Sequence, residues 1–166
     1  MTSAMHQILS SVRTFEGVLE LAPTAGSPYP ELAWGDHFFY YAPDGTVPRR
    51  EQPYATIVTK DYPDDTTSAL DPPGRWRLNI HVGRRRFAEL IGSEPADALA
   101  VDASAADRIL PHPVYGSLGW VCVVNPEQTV PVIVPLLQHA HQDARERALR
   151  RRSDPGDRDG GGSEPR

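Results

Sequence analysis

Three histidines and a few charged side chains are the residues of this chain best suited to bind a ligand or take part in a reaction. His37, His81 and His112 are predicted to lie on two strands and a loop, and Asp36 adds a carboxylate beside the first of them. Imidazole and carboxylate groups bind metals or exchange protons only when they converge in space. Their spacing matches no metal-binding motif, so we predict neither a metal nor another cofactor.

Lys60 is the single lysine among seventeen basic residues. It follows the apolar run "ATIV" at the end of a predicted strand and precedes the acidic pair Asp64 and Asp65. Its ammonium could pair with Asp36 across two strands, contact a ligand, or discourage the association of sheet edges. Arginine would serve the last role equally well, which favours a site that fits a compact ammonium and not a guanidinium.

The segment "RWRLNIHV" alternates apolar and polar residues, with Arg75, Arg77, Asn79 and His81 on one face. Such a strand has one face on the core and the other on solvent or a ligand. An aromatic and imidazole-bearing set could join that face: Trp34, His37, Tyr40, Tyr54, Trp76, His81, His112, Tyr115 and Trp120. These residues could line a groove with Arg75 and Arg77 at its rim, or most of the rings could belong to the core.

The candidate ligand-binding residues are therefore Asp36, His37, Lys60, Arg75, Arg77, His81 and His112. A second candidate group is Arg84, Arg85 and Arg86, which open a predicted helix after Gly83. Free N–H groups at a helix N-terminus beside arginine could bind an anion or a nucleic acid. The simpler interpretation is a solvated first turn, since cations there oppose the helix dipole by only roughly a few tenths of a kcal/mol.

No nucleophile in the sequence is accompanied by a catalytic motif. Ser117 in "YGSLG" lacks the G-x-S-x-G pattern, and Cys122 in the apolar run "WVCVVN" is predicted to be buried. We therefore favour a non-catalytic binding or accessory domain over an enzyme.

Periodicity places the secondary structure around these residues. Apolar stripes predict helices over 3–16, 84–92 and about 129–152, and Pro135 is expected to kink the last helix or delay its start. Strands are predicted over 18–22, 37–42, 54–60, 75–83 and 120–125. We expect one α+β domain over 1–150, an antiparallel sheet of about five strands with the terminal helices packed on it, and a disordered tail over 151–166.

The charge distribution limits the partners. From Ala144 onward seven arginines face five acidic residues, whereas residues 1–143 hold ten basic and seventeen acidic residues. This acidic body disfavours nucleic-acid binding, although the arginines leave it open as an alternative. The sequence shows no signal peptide, no membrane span and one cysteine, so we expect a cytoplasmic protein. It indicates no particular partner or oligomeric state.

Several long motifs carry a family resemblance: "AWGDHFFYYAPDG", "PYATIVTKDYP", "PPGRWRLNIHVGRRRF" and "LPHPVYGSLGWVCVVNP". Over about residues 3–150 the chain resembles an actinobacterial domain-of-unknown-function family, number 6194, which implies no assigned activity. More distantly it is similar to the MmcQ/YjbR-like proteins, through Trp34-Gly35, Pro113, Tyr115 and Gly119-Trp120-Val121. That resemblance implies a double-wing α+β fold, for which DNA binding has been suggested.

Three functions thus remain as alternatives. The first, which we favour, is the non-catalytic binding or accessory domain. The second is a nucleic-acid-binding domain of the double-wing type. The third is a small-molecule-binding protein or enzyme with a His/Asp/Lys site, which requires Asp36, His37, Lys60, His81 and His112 to share one concave face.

Overall fold

The structure is a computed structural model that describes residues 3–98 and 100–153. Those residues contain three α-helices and six strands. The helices are α1 (Ala4–Val12), α2 (Gly83–Ile91) and α3 (Val130–Ser153). The strands are β1 (Val18–Leu21), β2 (His37–Tyr41), β3 (Ala55–Val58), β4 (Arg77–His81), β5 (Leu110–Pro111) and β6 (Trp120–Val124). The predicted α+β class with helices at both ends is confirmed.

The strands form one sheet in the order β1-β2-β3-β4-β6-β5, and every neighbouring pair is antiparallel. The predicted count of about five strands is corrected by β5, which pairs with β6 at the edge of the sheet. This strand lies outside the five strands predicted from the sequence. Its Pro111 has no N–H, which is tolerated at an edge because only one side of the strand needs partners.

The main core lies between one face of the sheet and the helices α1 and α3. It contains apolar residues from both layers: Ile8, Leu9, Val12, Phe39, Ala55, Ile57, Leu78, Ile80, Val121, Val123, Ile133, Leu136, Leu137 and Ala140. Because successive side chains of a strand alternate, the residues between these strand positions face the other way. We call that side the second face, and loops pack against it.

The last helix is fixed at its start by a distant carboxylate. Asp107 accepts the N–H groups of Glu127, Gln128 and Thr129 and the Thr129 hydroxyl proton. Burial opposes its ionisation, but these hydrogen bonds outweigh that effect and lower the pKa of Asp107 to about 2. The helix begins at Val130 and continues through Pro135, so the later start considered from the sequence is not found.

Helix α3 ends at Ser153, one residue beyond the predicted end near residue 152. The rest of the predicted disordered tail lies outside the described residues. Across the described ranges, every helix is too short or too polar to cross a bilayer.

Candidate ligand-binding site

A cavity of about 570 Å³ opens on the second face of the sheet. Strands β2, β3, β4 and β6 supply its floor, and loop residues from 52–53, 62–65 and 112–118 supply its walls. Five aromatic rings line it: Phe38, Tyr40, Tyr62, Tyr115 and Trp120. This size and aromatic lining, with a few polar groups, are typical of small-molecule sites of roughly 300–1,000 Å³.

Arg77 lies at the centre of the polar floor and is only 1% exposed. Its Nε donates to Asn79 Oδ1 at 2.7 Å, and its Nη1 donates to Ser68 Oγ at 2.9 Å. Nη1 and Nη2 also bind the two carboxylate oxygens of Asp65. Burial opposes ionisation of Asp65, but the hydrogen bonds and charge of Arg77 outweigh it and lower the pKa of Asp65.

His112, which is 5% exposed, lies beside this ion pair. Its Nδ1 accepts the backbone N–H groups of Val114 at 3.1 Å and Tyr115 at 3.0 Å. A neutral imidazole whose Nδ1 accepts carries its proton on Nε2, and we assign that tautomer. Burial and then the Arg77 charge lower the pKa of His112 to about 4, so the ring is neutral at pH 7.

The Nε2–H of His112 faces groups that cannot satisfy it. Nη2 of Arg77, a donor, lies 3.1 Å away, and Oδ2 of Asp65 lies 3.8 Å away. The second distance is too long for a hydrogen bond. In the assigned tautomer, this buried donor therefore has no acceptor within the part of the chain that the structure describes.

A second polar cluster surrounds Asp36, which is 0% exposed. Its Oδ1 accepts the N–H and O–H of Thr59 and the ammonium of Lys60 at 3.0 Å, and its Oδ2 accepts the Tyr62 hydroxyl at 2.6 Å. Burial and the bond to Asp36 raise the pKa of Tyr62. Of this cluster, only Tyr62 also lines the cavity.

Lys60 occupies a site with three oxygen acceptors. Besides Asp36, its Nζ lies 2.8 Å from the Trp34 carbonyl oxygen and 3.3 Å from Thr59 Oγ1. Three acceptors around one point match the three N–H donors of an ammonium. The Asp36–Lys60 pair considered from the sequence is present, and it closes the end of β3 without lining the cavity.

The other ligand-binding candidates lie apart from the cavity. His37 stacks near Phe39 on the core face, with its Nδ1 2.8 Å from a carboxylate oxygen of Glu20. Arg75 donates to three loop carbonyls. His81 packs against Trp120, with ring centres 5.5 Å apart. Of the seven candidates, the structure brings only Arg77 and His112 together in the cavity lining.

The three consecutive arginines each pair with an acidic residue: Arg84 with Glu94, Arg85 with Glu89 and Arg86 with Asp143. Arg84 and Arg85 are largely exposed, with side-chain exposures of 81% and 93%. This is the pattern of a solvated, charge-paired helix surface.

Among the cavity residues that were not candidates from the sequence, three belong to the hydrogen-bond network of Arg77: Thr56, Asp65 and Asn79. Thr56 could have been found, because strand alternation places it opposite its inward neighbours Ala55 and Ile57. Asp65 lies in a polar segment after Lys60 and Asn79 on the polar face of β4, and no motif distinguishes either position. In the described ranges, no three His, Cys, Asp or Glu side chains are grouped to hold a metal ion.

The fold and cavity define an α+β domain with a loop-covered pocket on one face of an antiparallel sheet. A family model described as "Family of unknown function (DUF6194)" matches residues 1–153, so the chain belongs to that family. The resemblance drawn from the sequence motifs is thereby confirmed. No curated protein and no solved structure matches the chain. The more distant relation to the MmcQ/YjbR-like proteins stays a prediction.

Proposed function

We propose that this protein is a non-catalytic binding domain that holds a small organic molecule in the cavity on the second face. The observation that carries the proposal is the combination of a cavity of about 570 Å³ with aromatic walls and a buried polar floor. Aromatic rings provide apolar contact area, and the few polar groups provide orientation.

The state of the reactive groups supports binding over catalysis. The Ser68 hydroxyl is buried and accepts a hydrogen bond from Arg77. Burial raises the pKa of the Cys122 thiol to about 12, so it is protonated at pH 7. Asp36, His37, Lys60 and His81 do not themselves line the cavity, which leaves most of the His/Asp/Lys site considered from the sequence without support.

The nucleic-acid alternative gains no support from the described residues. Arg84, Arg85 and Arg86 are each paired with an acid, and residues 1–143 carry an excess of acidic groups. Phosphate binding would have to displace those partners. We further propose a cytoplasmic location, which the single, buried cysteine supports.

The proposal is tested with Nile red, an uncharged planar dye whose fluorescence rises in apolar surroundings. Val114→Trp places an indole at the cavity wall, whereas Val132→Trp places one on the exposed surface of α3. We expect the first variant to weaken dye binding about tenfold or more, equivalent to ~1.4 kcal/mol, and the second to leave it unchanged. Equal binding by both variants, with both folded by circular dichroism, would refute a site in this cavity.

A further inference from the structure

Two hydrogen-bond donors in the cavity lining, on His112 and Thr56, have no acceptor among the described residues. The Nε2–H of His112 has no acceptor among the described residues, as its neighbours are Arg77 and a distant oxygen of Asp65. Thr56 adds a second donor, because its Oγ1 accepts from Asn79 Nδ2 at 2.9 Å and its own proton is given to no described residue. A buried donor without an acceptor, such as the Nε2–H of His112, costs free energy, which a ligand acceptor would recover.

The same wall carries little positive charge. The guanidinium of Arg77 is bound by both carboxylate oxygens of Asp65, and its other N–H groups donate to Asn79 and Ser68. His112 is neutral at pH 7. Asp64 adds a further carboxylate to the cavity lining. The formal charge around the cavity is thus zero or negative, although hydrogen-bond donors are available.

We propose that the ligand is an uncharged, flat aromatic or heteroaromatic molecule that presents a carbonyl or ring-nitrogen acceptor to His112 and Thr56. This inference rests on the proposed function and specifies its ligand class. The rings of Tyr40 and Trp120 supply apolar faces on opposite parts of the floor, on β2 and β6, which suit a planar compound.

Charged ligands fit this wall less well. A carboxylate or phosphate would lie near Asp64 and Asp65, and the guanidinium that could compensate it is already paired. An ammonium ligand would direct its N–H groups toward the unmatched donors of His112 and Thr56. An uncharged acceptor satisfies these donors without either conflict.

The test uses three probes that share one ring system: naphthalene-2-carboxamide, naphthalene-2-carboxylate and 2-(aminomethyl)naphthalene. They are neutral, anionic and cationic at pH 7, and their binding to the full chain is measured by isothermal titration calorimetry. We expect the carboxamide to bind about tenfold more tightly than either charged probe. Equal or tighter binding of a charged probe, or no binding of the carboxamide, would overturn the inference.

Two variants test which residues cause the preference for the uncharged carboxamide. Asp65→Asn removes the charge that compensates Arg77, so the carboxylate should now bind at least as well as the carboxamide. Thr56→Val removes one donor and should weaken carboxamide binding about threefold to tenfold, with Thr46→Val as an exposed control that changes nothing. If Asp65→Asn fails to fold, Thr56→Val alone decides, because an unchanged carboxamide affinity contradicts the proposed contact.

Failure of this inference can be told apart from failure of the proposed function. If Nile red binds the unsubstituted chain and binds Val114→Trp more weakly, while the carboxamide does not bind, the cavity is a ligand site but the proposed ligand class is wrong. If neither compound binds, both proposals are overturned.

Discussion

Two buried histidines, one on each face of the sheet, differ in how completely the protein satisfies them. His141 is part of α3 and faces the core, where its Nε2 donates to the Glu16 carbonyl at 2.7 Å and its Nδ1 accepts the Tyr54 hydroxyl proton at 3.0 Å. His112 lies at the cavity, where Nδ1 accepts two N–H groups but Nε2–H has no acceptor among the described residues. Both ring nitrogens of His141 thus have hydrogen-bond partners within the fold, whereas His112 has a partner for Nδ1 only.

The two histidines differ in their hydrogen bonding and not in their burial or the direction of their pKa shifts. Burial lowers the pKa of both His112 and His141, so neither burial nor pKa distinguishes them. The rings of Phe15, Tyr41 and Tyr54 surround His141 at centroid distances of 5.3–5.5 Å, as expected for a core position. The distinguishing property is the unmatched donor beside a cavity.

The largest expected effect is on the free energy of unfolding, and it comes from replacing Arg77, which contacts His112. Arg77→Met leaves the Asp65 carboxylate partly buried and unpaired, so the free energy of unfolding should fall by about 3–5 kcal/mol. Urea denaturation measures it, and Arg84→Met, at an exposed ion pair, should leave the midpoint unchanged. A loss below ~1 kcal/mol would show that water, and not Arg77, solvates Asp65.

The two histidines themselves should separate stability from binding. His141→Phe leaves the Glu16 carbonyl and the Tyr54 hydroxyl without their partner and should cost about 2 kcal/mol. His112→Phe should cost less, about 1 kcal/mol, because it also removes the contact with Arg77 and water can reach the N–H groups of exposed Val114 and Tyr115.

Binding should respond in the opposite order. Naphthalene-2-carboxamide affinity, measured by calorimetry, should fall for His112→Phe and stay unchanged for His141→Phe. A loss of affinity in His141→Phe that equals the loss in His112→Phe would contradict the contrast between the two sites.

Acid should destabilise the fold through His112. Its folded-state pKa of about 4 lies below the ordinary value near 6.5, so the unfolded chain binds more protons between these pH values. The free energy of unfolding should therefore decrease as pH falls through this window, on the order of 1 kcal/mol for His112 between pH 7 and 5.

The pH effect is measured by urea denaturation at pH 7, 6 and 5. His112→Phe should flatten the dependence, and His139→Gln, at an exposed position of α3, should not. Identical pH dependence in wild type and His112→Phe would mean that His112 titrates alike in the folded and unfolded chains.

The smallest expected effect concerns Lys60, whose ammonium, like the ring of His141, has its hydrogen-bond partners within the fold. Lys60→Arg keeps the charge, and the side chain is 28% exposed, so we expect a change within about 0.5 kcal/mol. Carboxamide binding should also be unchanged, since neither Lys60 nor Asp36 lines the cavity. Loss of carboxamide affinity in this variant would show that Lys60 contributes to ligand binding.

Much of the fold could be predicted because its signals are local. The alternation around Leu78 and Ile80 identified β4 and its core face, and the stripe through Ile133, Leu137 and Ala140 identified α3. The same period of two separates Asp36 from His37, since successive side chains near a strand point to opposite faces. This alternation is a physical reason why the structure does not bring Asp36 and His37 together in one site.

The site was harder to predict because its contacts are distant in the sequence. Arg77 was identified from alternation and His112 as a candidate, but their partner Asp65 lies in a polar loop whose path no periodicity determines. Alternation also predicted that the polar face of β4 contacts solvent or a ligand. Arg77 and Asn79 on that face are instead buried, because the loop that contains Asp65 and the segment after β5 cover them. Loop placement, not strand pattern, creates this cavity.

The short edge strand β5 has a consequence for self-association. An edge with a row of unpaired backbone groups can template the addition of another chain, and short strands and proline interrupt that row. β5 has two residues, and one of them, Pro111, offers no N–H. The chain then turns at His112 into the loop that walls the cavity. The segment that encloses the cavity thus also ends the sheet, and this edge should resist amyloid-like growth by strand addition.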